Sequence, residues 1–153
     1  METPPFRADH VGSLLRPATV KAARDQVRAG TLDAAGLKAV EDAAIIELIR
    51  HQEAIGLHSI TDGEARRAYW HFDFLEHLQG VTAVDLDSGM NFKGNFSINK
   101  ALRITGKVAF EGHPMLDHFK FLAAHTSRTA KMTIPGPSML HYRGGRQMMN
   151  VGA

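Results

Sequence analysis

Leu57-His58-Ser59-Ile60-Thr61-Asp62-Gly63-Glu64 is the stretch on which the fold is read. Its first five residues read as a short strand, and Asp62-Gly63 ends it with turn formers. A long helix is predicted just before it. Leu37, Val40, Ala44, Ile45, Leu48 and Ile49 recur at helical spacing, Asp33 stands where an N-cap belongs, and Gly56 stands where the helix should stop. Glu41, Asp42, Glu47, Arg50 and His51 are interspersed polar positions, expected mostly away from the apolar stripe. A second helical run is predicted just after the strand, through Arg66, Arg67 and Tyr69 to about Leu78. A strand set between helices indicates a parallel α/β arrangement.

Toward the N-terminus, Phe6–Val11 reads as an extended element that runs into a turn at Gly12-Ser13. Pro17 suits the first position of a following helix, because its missing N–H has no intrahelical partner there, and Gly30 suits its end. Toward the C-terminus, Gly80–Gly112 reads as an excursion, with alternating strands at Ala101–Thr105 and Lys107–Phe110 that suggest a hairpin. Pro114 opens another helix with Met115, Phe119, Leu122 and Ala123 on one face. Ala130–Ile134 is a strand ending in Pro135-Gly136-Pro137-Ser138, and a short helix follows near Met139 to Tyr142. About three strands thus belong to the parallel framework. Parallel strands need cover on both faces and neighbours on both edges. The expectation is therefore a front part of a longer protein, or a chain that assembles with its own copies.

Composition narrows the function. With 44% hydrophobic and 22% charged residues, the chain reads as a globular domain. A net charge of +2, without a Lys/Arg cluster interleaved with aromatics, gives no sign of a nucleic-acid partner. No run of about 18 apolar residues suggests a membrane span, and the first ten residues show no signal-peptide pattern, so the expected location is the cytoplasm. The absence of cysteine excludes disulfides and thiolate ligands within these residues.

The polar residues at the strand ends carry whatever chemistry there is. They are His10 and Ser13 with Asp9 after the first extended element, Asp62 and Glu64 after the second, and Ser138 after the third, with His141, Tyr142 and Arg143 nearby. In parallel α/β folds these ends form the ligand face. Against that stands the reading of Asp, Ser and Gly as ordinary turn formers and caps. Glu64 is either a carboxylate for a substrate ammonium, with Gly63 letting the substrate approach, or a helix-start residue favoured by the macrodipole. Arg66 and Arg67 read as anion binders or, more simply, as a salt-bridged helix face. Nine histidines invite a metal reading, but none form an i,i+4 pair and no H-E-x-x-H occurs, so no metal site is expected. Trp70, Phe72, Phe74 and Leu75 read as packing residues, and Gly144-Gly145-Arg146 matches no complete phosphate loop.

Several segments, in order along the chain, resemble the catalytic domain of the cobalamin-independent methionine synthases and their shorter relatives. Asp9-His10-Val11-Gly12-Ser13-Leu14-Leu15-Arg16-Pro17 is similar to its opening strand and loop. Gln52–Leu57 with Thr61-Asp62-Gly63-Glu64-Ala65-Arg66-Arg67 is similar to its second strand and the helix before it. Gly112-His113-Pro114-Met115 and Lys131–Ser138 are similar to the approach to its third strand and that strand with its loop. The resemblance implies a partial (β/α)8 TIM barrel over residues 1–153, its front half, with an inserted hairpin around 80–112. It implies a thiol methyl- or alkyltransferase in which zinc, held late in the barrel by His and Cys, activates a homocysteine-like thiol toward a methyl-folate-like donor. By the same resemblance, Val11, Gly12, Ser13 and Glu64 bind the amino-acid substrate, while His10, Asp62 and Ser138 line the face without a family role. The zinc ligands lie beyond these residues, so the chain alone is expected to hold no metal and to be inactive. Two other readings stand beside this one. A half-barrel could bind or assemble without catalysis, or a relative could use another thiol, such as coenzyme M. A metal-free lyase with His10 and Glu64 as base and acid is more remote.

Overall fold

The structure, a computed structural model, describes the backbone of residues 10–92 and 96–142, and the side chains of those outside 86–99 and 141–142. Along the chain the elements are α1 (Ala18–Arg28), α2 (Ala34–Ala54), β1 (Ser59–Ile60), α3 (Phe72–Leu75), β2 (Gln79–Phe92), β3 (Phe96–Ala109), α4 (Pro114–His125), β4 (Thr129–Ala130) and α5 (Met139–Tyr142). They fall into two compact units, divided at Arg67/Ala68, Met115/Leu116 and Thr133/Ile134. Among the described residues no helix is long and apolar enough to cross a membrane.

The first unit holds α1, α2, β1, most of α4, and β4. The Asp33 side chain caps α2, accepting from Gly36 N at 2.7 Å. The stripe of α2 buries Ile45 and Ile49 against Ile60, Ala65 and Leu122, with Phe121 packed on the edge of the cluster. Each aliphatic side chain so buried contributes about 1.5–3 kcal/mol. β1 pairs with β4 in parallel, Ser59 against Thr129 and Ile60 against Ala130, and the bonds Thr129 N→His58 O and Lys131 N→Ile60 O frame the pair. The parallel α/β reading therefore holds for these two strands, although both are shorter than the sequence suggests.

Three readings need correction here. Of the expected strand at Phe6–Val11, residues 6–9 lie outside the described residues, and His10-Val11 is not a strand. Its carbonyls are taken by side chains instead, Lys131 Nζ donating to His10 O and Thr133 Oγ1 to Val11 O. Glu41, expected on the polar side of α2, is only 7% exposed and pairs with Arg24 at 3.1 Å. On α4, Met115 and Leu122 are buried as read, but Phe119 and Ala123 face solvent and Phe121 takes the inner position.

The second unit is built on the antiparallel hairpin of β2 and β3. Phe72, Leu75, Val81 and Leu102 form its core, with Tyr69, Phe74, Leu78, Met139 and Leu140 packed around them. The excursion is thus a hairpin, but Ala101–Thr105 and Lys107–Phe110 are not its two arms. Residues 101–109 belong to one strand, whose partner is 79–92. Gly106, which separates those two stretches in the sequence, does not interrupt the strand. In the structure it lies within β3 beside Gly80, where the ladder shifts register, and a Cβ on Gly80 would stand 2.5 Å from Lys107 O. The helix expected through Leu78 is reduced to the four residues of α3. The Asp73 carboxylate accepts from Ala68 N and Tyr69 N at 2.9 and 2.6 Å, so these amides bond a side chain rather than helical carbonyls.

Candidate functional site

In the first unit, the segment around Gly12 and the loop Thr61–Arg67 come together. Leu14 N donates to Gly63 O at 3.0 Å, and Thr61 Oγ1 donates to Gly12 O at 2.8 Å. Thr61 in turn is held by Gln52. Gln52 Oε1 accepts from Thr61 N at 3.0 Å, while its Nε2 donates to Thr61 O at 2.9 Å and to Leu48 O at 3.0 Å. Because Oε1 is committed as an acceptor, His10 Nε2, 3.0 Å away, must carry its hydrogen to bond it.

The loop then turns on Asp62, whose Oδ1 accepts from Glu64 N at 2.9 Å. Glu64 adopts φ +54°, a left-handed conformation rare for a side chain of its kind. This removes the helix-start reading of Glu64. Its carboxylate is buried, with Oε1 lying 3.4 Å from Arg67 Nη1. Arg67 also donates to Thr133 O at 2.5 Å. Arg66 and Arg67 are thus salt-bridged as read, but they are buried and stand on a loop rather than a solvated helix face.

Gly12 faces this carboxylate. At φ +145° it bears a backbone that only glycine adopts easily, and a Cβ there would lie 2.6 Å from Thr133 Oγ1 and 3.6 Å from Glu64 Oε1. Ser13 beside it is exposed. Val11 is 79% exposed, and its contribution here is a backbone carbonyl. Gly63 does not leave room for a ligand, as its sequence position suggests. Leu48 Cδ1 and Leu14 Cβ fill that space, 2.9 and 3.3 Å from where its Cβ would be. Ser138 belongs to the second unit and is exposed, while Asp9, the side chains of His141 and Tyr142, and residues 143–146 lie outside the described residues.

The sequence reading passed over Gln52, Thr61 and Thr133 as site-builders. For Gln52 a signal existed. It continues the stripe of Ile45 and Ile49 one turn further, and a polar residue on an apolar face needs buried partners. Among the described residues no three His, Asp or Glu side chains converge as a metal site, and the chain has no cysteine.

Residues 6–145 match the family model described as cobalamin-independent synthase, catalytic domain, and the chain belongs to that family. It is 46% identical over 142 residues to the uncharacterized protein YxjG of Bacillus subtilis, covering 92% of this chain and 38% of that protein. It is 26% identical over 133 residues to the methionine synthase of Sulfolobus acidocaldarius, covering 83% of this chain and 37% of that one. A solved structure of a candidate vitamin-B12-independent methionine synthase from Listeria monocytogenes superposes with a TM-score of 0.75 at 41% identity, over 95% of this chain and 41% of that one. The chain thus spans about two fifths of the length of these relatives.

Proposed function

We propose that this chain is the amino-acid-binding front part of a (β/α)8 barrel that transfers a methyl or alkyl group to a thiol, in the manner of a methyltetrahydrofolate–homocysteine methyltransferase. In this reading, the Glu64 carboxylate binds the substrate ammonium. The backbone and hydroxyl of Gly12-Ser13 bind its carboxylate, with Val11 leading into the turn. The observation that carries it is the approach of the buried Glu64 carboxylate to Gly12, across a gap that any Cβ on Gly12 would narrow. A carboxylate shielded from water makes a strong charge-assisted bond to an ammonium, and one set beside a turn discriminates an amino acid from a plain acid. Arg67 keeps the carboxylate oriented. His10 and Asp62 serve the frame, through Gln52 and through Glu64 N.

A zinc ion bound elsewhere in the barrel would hold the thiol as thiolate and make it nucleophilic near neutral pH. Its ligands would come from the remaining barrel, supplied by a longer protein or a partner, and these 153 residues alone would not transfer methyl groups.

The test is titration calorimetry of the protein with L-methionine and with 4-(methylthio)butanoate, the same molecule without its ammonium. L-Methionine is expected to bind at least about tenfold more tightly, a difference near 1.4 kcal/mol. Glu64→Gln is expected to erase that preference. Equal affinity for the two ligands in the unaltered protein would sink the reading.

A further inference from the structure

We infer that Arg16 is a positioning residue for the proposed site, setting the Glu64 carboxylate against the Gly12-Ser13 turn; this rests on the reading above. Glu64 is the one non-glycine residue at positive φ among the described residues, in a backbone well that L side chains resist. Something must hold the loop there, and the hydrogen bonds show what does. The carbonyls of Glu64, Ala65 and Arg67 converge on the Arg16 guanidinium, Nη2 donating to Glu64 O at 3.3 Å and to Arg67 O at 2.5 Å, and Nε to Ala65 O at 3.3 Å. Arg24 reaches the same loop, with Ala65 O at 2.8 Å and Arg67 O at 3.2 Å, but its remaining bond goes to Glu41. Of these two arginines, Arg16 is the one that bonds the peptide of Glu64 itself.

The position of Arg16 in the chain gives this contact its meaning. Arg16 follows Gly12 by four residues, and between them Leu14 N is tied to Gly63 O. The segment that forms the carboxylate-binding turn therefore also grips the loop that bears the ammonium-binding group. It does so from both ends, at the peptide of Glu64 and at the carbonyl of Arg67, whose side chain orients the Glu64 carboxylate. Three carbonyl acceptors, met by Nε and Nη2, suit a planar fork of N–H donors. A lysine ammonium at the end of a flexible stem does not span them. Replacing Arg16 with Lys keeps the charge and loses the geometry, so Glu64 should drift from the turn while the unit stays folded.

The experiment compares Arg16→Lys, Arg24→Lys and Glu64→Gln in the protein, each titrated with L-methionine and 4-(methylthio)butanoate. The readout is the ratio of the two affinities, which a general loss of stability would not move. Arg16→Lys is expected to weaken L-methionine about tenfold and to leave the des-amino ligand within about threefold, collapsing the ratio. Arg24→Lys is expected to keep it. If Arg16→Lys weakens both ligands alike, or preserves the ratio while Glu64→Gln abolishes it, the inference fails and the amino-acid reading survives. If Glu64→Gln leaves the ratio unchanged, the amino-acid reading itself fails. Should Arg16→Lys not fold by circular dichroism, Arg16→Gln takes its place. Failure of both to fold would show that Arg16 supports the unit rather than the site, which also overturns the inference.

Discussion

In the loop from Thr61 to Arg67, backbone groups are satisfied by side chains that arrive from elsewhere in the chain: Gln52 on Thr61, Arg16 and Arg24 on the carbonyls of residues 64, 65 and 67. In the hairpin of β2 and β3, backbone groups satisfy one another, rung by rung from Val81–Ile104 to Asp85–Lys100. The first arrangement lets a loop take a shape that no regular element has, including Glu64 at positive φ. Its cost is that each supporting side chain is hard to replace. The second tolerates substitution along its exposed face, because its hydrogen bonds do not depend on which side chains it carries.

The largest test of that contrast is Gln52→Leu. The substitution is nearly isosteric but leaves Thr61 N and O buried without their partners, at roughly 1–3 kcal/mol each. A loss of about 4 kcal/mol in urea denaturation is expected; a loss below about 1 kcal/mol would mean that the loop does not rely on imported side chains.

A smaller effect concerns pH. His118 on α4 stands near the charges of this loop. Burial, and then the neighbouring Arg66, hold its imidazole below the ordinary value of 6.5, with Arg67 acting the same way and Asp62 and Asp117 opposing. The unfolded chain therefore takes up this proton more readily than the folded one. Stability should be full above about 6.5 and fall as the pH drops through that value toward the lower folded pKa. His118→Gln should flatten the slope of urea midpoints over that window. An unchanged slope would show that His118 does not couple the surroundings of the loop to pH.

The smallest effect is expected at Thr82→Ala. Its hydroxyl meets that of Thr105 across the hairpin at 3.5 Å on an exposed face, and its loss should shift stability by no more than about 0.5 kcal/mol. A shift above about 2 kcal/mol would erase the contrast between the two regions.

The same contrast explains how much of the fold is legible in the sequence. The α2 stripe, its Asp33 cap and the α4 start at Pro114 follow from local periodicity and capping, which sequence displays directly, and the alternation of strands with helices gives the parallel sense of β1 and β4 but not which residues pair. Glu64 could be marked as a candidate, and so could Gly12. Their conformations could not, because they are set by Arg16, Asp62 and Thr61 through bonds that mostly span dozens of residues. The helix expected after Arg66 failed for a local reason that was legible in principle: Asp73 sits where its carboxylate takes the amides of Ala68 and Tyr69. The alternation breaks at Gly106 although the strand runs through it, because a glycine that ends a strand and one that lets another backbone pass close by look the same in sequence.

The Gln52–Thr61 pair has a consequence beyond the site. Successive residues of a strand direct their backbone groups to opposite edges. Ile60 O bonds Lys131 N on the side of β4, so Thr61 N and O face the other way, and there the Gln52 amide offers one donor and one acceptor as a neighbouring strand would. A side chain thus occupies the place where a foreign strand would otherwise add itself. At that rung the edge is closed to the intermolecular pairing that drives aggregation.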